Sequence, residues 1–207
     1  MHPPRILSLG DSYTIGEGID PGKSWPRQLT GILGARGIEL GAPEIVARTG
    51  WSTAELAAAI DERELSGGWP LVTLLAGVND QYRGRTLEEF QPSFAALVER
   101  AIRLAGGEAR RLLVLSIPDW GATPFARERD RIAIAAAIDD YNAAASAIAL
   151  GAGAGWVDVT GHSRRAADDA TLVAEDGLHL SVTAHRQWAE FLAPLAETIL
   201  RAEARVT

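Results

Sequence analysis

In Arg5-Ile6-Leu7-Ser8-Leu9-Gly10-Asp11-Ser12 an apolar run of strand length stops abruptly on a Gly-Asp-Ser turn. Four more runs repeat that form. Glu44–Thr49, Leu71–Leu75, Leu112–Ile117 and Trp156–Val159 are short, rich in Val, Ile or Leu, and bounded by Gly, Pro or charge, so each is expected to be a strand like Arg5–Leu9. Longer amphipathic stretches lie between them. Helices are expected over Trp25–Arg36, Thr53–Leu65, Leu87–Leu104 and Arg127–Leu150, with a last one over Thr183–Glu203. Two open on capping boxes, Ser52 with Glu55 and Thr86 with Glu89, in which side chain and backbone satisfy each other's first-turn donors. This alternation predicts the α/β class: a three-layer α/β/α sandwich on about five mainly parallel strands, with right-handed crossovers.

Such sheets bind ligands beyond the carboxyl ends of their strands. The residues that follow the first three strands are Gly10-Asp11-Ser12, Gly50-Trp51-Ser52 and Gly77-Val78-Asn79-Asp80, and they are expected to converge on one rim. The Ala-rich segment Ile132–Ala154 holds Asp139, Asp140, Tyr141 and Asn142 and suits a close-packed helix without chemistry of its own. Gly161–Ala174 is polar and reads as an irregular loop near the site.

Composition narrows the chemistry. A chain of 207 residues suits one domain, residues 1–207, with a core that needs no covalent staples. The absence of cysteine excludes a disulfide framework, a thiolate metal site and a Cys nucleophile. With 20 basic against 27 acidic residues the net charge is -7, which argues against a nucleic-acid partner. The apolar stretch Ile6–Leu9 is too short for a signal-peptide core, and no stretch reads as the roughly 20 apolar residues of a membrane span. With Met1 as the native start, a soluble, cytoplasmic protein without membrane partner is expected, its oligomeric state open.

Ser12 follows a strand directly and is flanked by Gly10 and Gly16, which leaves its hydroxyl uncrowded at the strand tip. Alone, Gly-Asp-Ser would be an ordinary turn or helix cap. Near the other end stands Asp176-Gly177-Leu178-His179, just before the last expected helix. In a turn, this Asp can reach the imidazole Nδ1–H while Nε2 faces outward, as a Ser–His–Asp triad requires. Acyl transfer also needs donors for the tetrahedral oxyanion, each typically worth about 3–4 kcal/mol. Gly50 offers an unobstructed N–H and Asn79 a side-chain amide.

Taken in order, Gly-Asp-Ser12, Gly50, Gly77-x-Asn79-Asp80 and the late Asp176-x-x-His179 resemble the SGNH or GDSL-type hydrolase family over most of the chain. The resemblance implies a flavodoxin-like sandwich and metal-free hydrolysis of carboxylic esters or thioesters without a cofactor, on a small-molecule ester substrate. It also implies Ser12, Asp176 and His179 as catalytic residues, with an oxyanion hole from the Ser12 and Gly50 N–H groups and the Asn79 amide. The sequence departs from the commonest family pattern at Leu180, where proline is frequent, and at Tyr13-Thr14, in place of Leu-Thr or Leu-Ser. Those changes bear on loop shape and substrate more than on the reaction.

Other readings are weaker. Of the remaining histidines, His2 is terminal, His162 falls in the polar loop and His185 in the last helix, and neither His162 nor His185 has a carboxylate three residues before it. No His-x-His or His-Glu-x-x-His spacing supports a metal site among Asp11, Asp80, Asp176 and the histidines. Gly-x-Ser-x-Gly fails because residue 14 is Thr. Asp11 and Asp80 adjoin the reacting groups and are placed with the substrate-binding residues, although their carboxylates better suit accepting backbone N–H groups and holding the two loops in shape, as Asp commonly does in tight turns. Of six tryptophans most are expected to pack; Trp51, next to Gly50, is expected at the cleft mouth, and Trp120 in Ser116-Ile117-Pro118-Asp119-Trp120-Gly121 is a second candidate. Short acyl chains are expected, since no apolar lid is visible. An acyltransferase using the same acyl-enzyme, or a non-catalytic glycan- or acyl-binding module, are the alternatives.

Overall fold

Each apolar run expected to be a strand forms one, with ends displaced by up to two residues. In the computed structural model, which describes residues 3–203 and so leaves His2 outside, the strands are β1 (Leu7–Gly10), β2 (Glu44–Ala47), β3 (Val72–Leu74), β4 (Leu112–Leu115) and β5 (Gly155–Val157). All neighbours pair in parallel, in the order β2-β1-β3-β4-β5. The three central strands are buried throughout, which is why they read as apolar runs and not as alternating ones.

The helices are α1 (Ser12–Ile15), α2 (Trp25–Ala35), α3 (Thr53–Glu62), α4 (Val78–Tyr82), α5 (Leu87–Leu104), α6 (Arg131–Gly151), α7 (Thr160–Arg164) and α8 (Val182–Glu203). Helices α2 and α8 pack together, while α3 packs on α5 and α5 on α6. Right-handed crossovers demand this division: the chain passes from β1 to one edge through α2, then crosses back through α3 and proceeds to the other edge. Both expected capping boxes form, at Ser52/Glu55 and Thr86/Glu89.

Three expectations need correction. The helix expected from Arg127 begins at Arg131, because Asp130 accepts the Ala133 N–H as its cap and Pro124–Ala126 is already a separate 3-10 turn. Gly161–Ala174 is not irregular: it continues α7 into 3-10 turns at Arg165–Ala167 and Ala170–Leu172 that bury Ser163, Ala166 and Leu172. By length and composition α6 would pass for a membrane span, since its alanines raise its hydropathy. Its buried residues Ile134, Ile138, Tyr141, Ala145 and Ala149 instead recur at helical spacing, the seam of an outer-layer helix against α5.

The contact between α2 and α8 contains a histidine that sequence reasoning left on a surface or in packing. Ser24 precedes α2 without capping it through its side chain. His185 does that work from α8: its Nδ1 accepts the Trp25 N–H at 3.1 Å, so this ring must be neutral. Only 1% exposed, it is held down to a pKa of about 3 by burial and then by repulsion from His179. Asp11, fully buried after β1, has the opposite problem. Burial raises its carboxyl to about 7 against the N–H of Tyr13, with Asp80 adding to the rise, and its Oδ2 meets no hydrogen-bond donor.

The two shifts have opposite consequences for stability. His185 costs stability as pH falls below its ordinary 6.5, because only the unfolded chain takes up that proton. Asp11 gains stability as pH falls from about 7 toward its ordinary 3.8, because only the folded chain takes up that one. Between about pH 6.5 and 5 they offset. His185→Leu removes one side, so the variant's stability should rise relative to wild type on acidification across that window, by up to ~1.4 kcal/mol per pH unit. Urea unfolding of both proteins at the two ends of the window checks this; a difference that stays constant with pH would show that His185 protonates alike in both states.

Candidate active site

The first turn after the sheet is tight enough to dictate its residues. A Cβ on Gly10 would lie 2.1 Å from Thr14 Oγ1 and 2.8 Å from the Leu75 carbonyl, so only glycine fits there. Asp11 follows in extended conformation and accepts the Tyr13 N–H at 3.0 Å, which caps the single turn of α1. Ser12 is thereby the first residue of a helix, where its N–H has no acceptor among the described residues.

His179 reaches the same place from the far end of the chain. Asp176 Oδ1 accepts the N–H groups of Leu178 and His179, each at 2.9 Å, and its Oδ2 lies 2.6 Å from His179 Nδ1. Burial works to raise the Asp176 carboxyl, but the His179 ring and the two N–H groups outweigh it and hold the group below the ordinary carboxylate range. An ionised partner at Nδ1 fixes the proton there and leaves Nε2 as a free base. The segment is pinned by a bridge between Val173 and Leu180 and by the Ala174 N–H on the His179 carbonyl at 2.8 Å. Tyr13, one of the departures from the commoner pattern, packs its ring on His179 at 5.3 Å between centroids. Its phenol is pushed up by burial and by the charges of Asp11, Asp176 and Asp119, so it stays neutral.

Gly50 and Asn79 complete the rim. Gly50 has φ +81°, a left-handed conformation that disfavours any side chain, and its N–H has no acceptor among the described residues. Its carbonyl is held by Arg83 at 2.6 Å, and Arg83 also meets Glu55, the carboxylate of the α3 capping box. Hydrogen bonds from the Ser52 N–H and hydroxyl, followed by Arg83, lower Glu55 to about 2. Asn79, in α4, donates one amide hydrogen to the Trp51 carbonyl at 2.9 Å, which orients the amide and leaves its second hydrogen free.

Ser12, Gly50, Asn79 and His179 line one cavity of about 170 Å³, closed on its other sides by Tyr13, Thr49, Val78, Tyr82, Trp120, Phe125 and Leu178. The structure does not bring the three residues expected to bind substrate into that cavity. Trp51 packs partly buried against the core, and what it contributes is its carbonyl. Asp11 and Asp80 are fully buried; Asp80 accepts both the N–H and the hydroxyl of Thr53 at 2.9 Å and faces Arg85 at 3.5 Å. Trp120, the second candidate, does line the cavity. Tyr82 and Phe125 were missed, although Tyr82 lies three residues after Asn79 and so shares its helix face. His162 sits apart, its ring against Phe191.

A serine N–H, a glycine N–H and an amide around a hydroxyl, with a carboxylate-held imidazole beside it, can stabilise an oxyanion and shuttle one proton. The profile of the GDSL-like lipase/acylhydrolase family matches residues 8–187. No curated protein sequence matches the chain. Among solved structures, a psychrotrophic esterase, EstA, from Pseudoalteromonas sp. is 16% identical over 95% of this chain and 98% of its own, with a TM-score of 0.72. TesA is 20% identical over 95% and 99%, with a TM-score of 0.73. Axe2, an acetylxylan esterase from Geobacillus stearothermophilus, is 19% identical over 96% and 94%, with a TM-score of 0.69. At these identities the likeness is one of fold.

The burial of Asp80 gives it a role that can be separated from substrate contact. Through Thr53 it ties the start of α3, next to Gly50, to α4, which carries Asn79. Thr53→Val removes one hydrogen bond to a buried charge and should cost ~1.5–3 kcal/mol of stability. Turnover should fall with KM nearly unchanged, and Thr53→Ser should restore both. Denaturant unfolding beside steady-state kinetics makes the comparison; a change confined to KM would return Asp80 and its partner to the substrate-binding surface.

Proposed function

This chain belongs to the GDSL-like lipase/acylhydrolase family and is a carboxylic ester hydrolase of that kind, and we propose that it acts as a serine esterase on small esters of short acyl chains. The observation that carries this reading is the His179 Nδ1 to Asp176 Oδ2 contact of 2.6 Å, beside a cavity that also receives Ser12, Gly50 and Asn79.

In the proposed reaction Ser12 Oγ attacks the ester carbonyl carbon while its proton passes to His179 Nε2. The carbonyl oxygen becomes an oxyanion that accepts from the Ser12 and Gly50 N–H groups and the free hydrogen of the Asn79 amide. Collapse breaks the bond to the alcohol oxygen, which leaves with the proton from His179, and the acyl group stays on Ser12. A water then gives its proton to His179, attacks the acyl-serine, and releases the carboxylic acid as the proton returns to Ser12. Asp176 remains ionised throughout and holds the imidazole in the required tautomer.

The cavity supports the acyl limit. At about 170 Å³ the cavity is small, and its walls of Val78, Tyr82, Trp120, Phe125 and Leu178 are largely apolar. Activity on p-nitrophenyl esters should therefore climb over the first few carbons, at up to ~0.8 kcal/mol per buried methylene, and then fall. A steady rise of kcat/KM to twelve or more carbons would overturn the short-chain limit.

Ser12→Ala should keep its fold by circular dichroism and lose at least about a thousandfold in kcat. Asn79→Ala should lose on the order of a hundredfold in kcat with little change in KM, because its target charge exists only in the transition state. More than a tenth of wild-type turnover in the Ser12 variant would remove the nucleophile from this reading.

A further inference from the structure

At the outer edge of the aromatic wall stands a cation that the proposed reaction does not use. The Arg129 guanidinium lies over three rings at once, 5.7 Å from the centroid of Tyr82, 5.6 Å from Trp120 and 5.4 Å from Phe125. These are the rings that close the cavity around Ser12. They are themselves fixed: Tyr82 meets Trp120 edge-on at 5.2 Å, and the Trp120 Nε1–H donates to Gln81 at 2.8 Å. The arginine backbone is anchored as well, its N–H on the Ala126 carbonyl at 3.0 Å just before α6.

Arg129 is exposed, and among the described residues no carboxylate lies within salt-bridge distance of it and no protein acceptor takes its guanidinium N–H groups. Its acidic neighbour Asp130 is turned into α6 to accept the Ala133 N–H. The nearby Arg131 spends its donors on the carbonyls of Gly121 and Ala122. Arg129 is therefore a cation whose face rests on aromatic rings while its fork of donors is left open. It also lines a second, open hollow of about 440 Å³ with Gln81, Asp130, Ala133 and Ile134, and Trp120 is common to that hollow and the cavity around Ser12. A substrate group that extends from the inner cavity on the Trp120 side would lie under this guanidinium.

We infer that Arg129 is a specificity-determining residue, which selects esters carrying a carboxylate or similar anionic group on the part that leaves the inner cavity past Trp120. The inference rests on the esterase reading and extends it to a class of substrate. A planar guanidinium offers a carboxylate two parallel N–H bonds, and stacking on fixed rings holds it in place before the substrate arrives. Neutral esters of the same length meet no such partner in the hollow.

Two matched pairs of esters test this and locate the anion. Phenyl acetate and 4-acetoxybenzoate differ by a carboxylate on the alcohol side; p-nitrophenyl butyrate and mono-p-nitrophenyl succinate differ by one on the acyl side. In Arg129→Gln, the ratio of kcat/KM for the anionic over the neutral member should fall by about tenfold or more in at least one pair, chiefly through KM. Arg129→Lys should keep part of the ratio, and added salt should lower it in the wild type. If both ratios stay within about twofold, or if neutral and anionic members lose activity together, Arg129 only clamps the rings and the inference fails.

Failure of the esterase reading is separately visible: phenyl acetate turnover by the wild type must be abolished in Ser12→Ala. Were no ester hydrolysed, calorimetric titration of 4-hydroxybenzoate against phenol would still decide the point. Preference for the anion in wild type that is lost in Arg129→Gln supports the subsite, and equal binding of the two compounds overturns it.

Discussion

All five strands run in one direction, so every turn that follows a strand opens at the same end of the sheet. The order β2-β1-β3-β4-β5 adds a second constraint: the chain leaves β1 for one edge and returns beside β1 as β3, so the turns after these two strands part from each other. Ser12 stands on the first turn and Asn79 just after the second, with Gly50 beyond the neighbouring β2. Nothing in the local sequence of Ser12 makes the crevice. The crevice is a property of strand order, and local sequence only decides what faces it.

Holding those turns in register falls to buried polar groups. Asp11 caps α1, Asp80 joins the α3 and α4 turns through Thr53, and Asp119 takes the Gly121 N–H while pairing with Arg164 at 2.9 Å. Beyond β4, Asn142 brackets Ile117 by both its N–H and its carbonyl, and Ser116 Oγ accepts from the N–H groups of Val159 and Thr160. In a low-dielectric interior such groups are costly unless satisfied, so each satisfied one specifies a single loop geometry. Asp11 is the exception, with one oxygen unpartnered and a raised pKa in consequence. Its burial beside Ser12 is therefore a real cost, one that its own protonation relieves as pH falls and that His185 replaces with another in the same range.

Much of this was legible in the sequence. Strand ends were placed within about two residues because runs such as Leu112–Leu115 are buried on both faces and carry an unmistakable apolar signal. The residues at the rim were legible through their order along the chain, since a parallel sheet turns order into position. What failed depended on partners remote in sequence. Trp51 was expected at the cleft mouth because it adjoins Gly50, yet adjacency in a turn sets only where the backbone goes, and its side chain went to the core. His185 caps a helix 160 residues away in the chain, a pairing with no local signal. The one-turn helices α1, α4 and α7 are too short to show a period at all.

The way side chains are held also distinguishes chemistry from choice of substrate. The candidate reacting groups rest on turns locked by buried carboxylates and by the Asp176 cradle, where a shift of one side chain disturbs several hydrogen bonds at once. The aromatic wall comes largely from other segments, Trp120 and Phe125 from two 3-10 turns and Arg129 from the run into α6, while Tyr82 ends the short helix that carries Asn79. Tyr82 and Phe125 are more than two-fifths exposed and hold each other mainly by ring contacts. Replacing one of them alters the volume and polarity of the cavity without touching the hydrogen bonds that orient Asn79 or His179. A fold built this way can change what it accepts while leaving how it reacts in place, because ring side chains can be exchanged while the candidate reacting groups keep hydrogen bonds of their own, even where, as with Tyr82 and Asn79, both stand on one short helix.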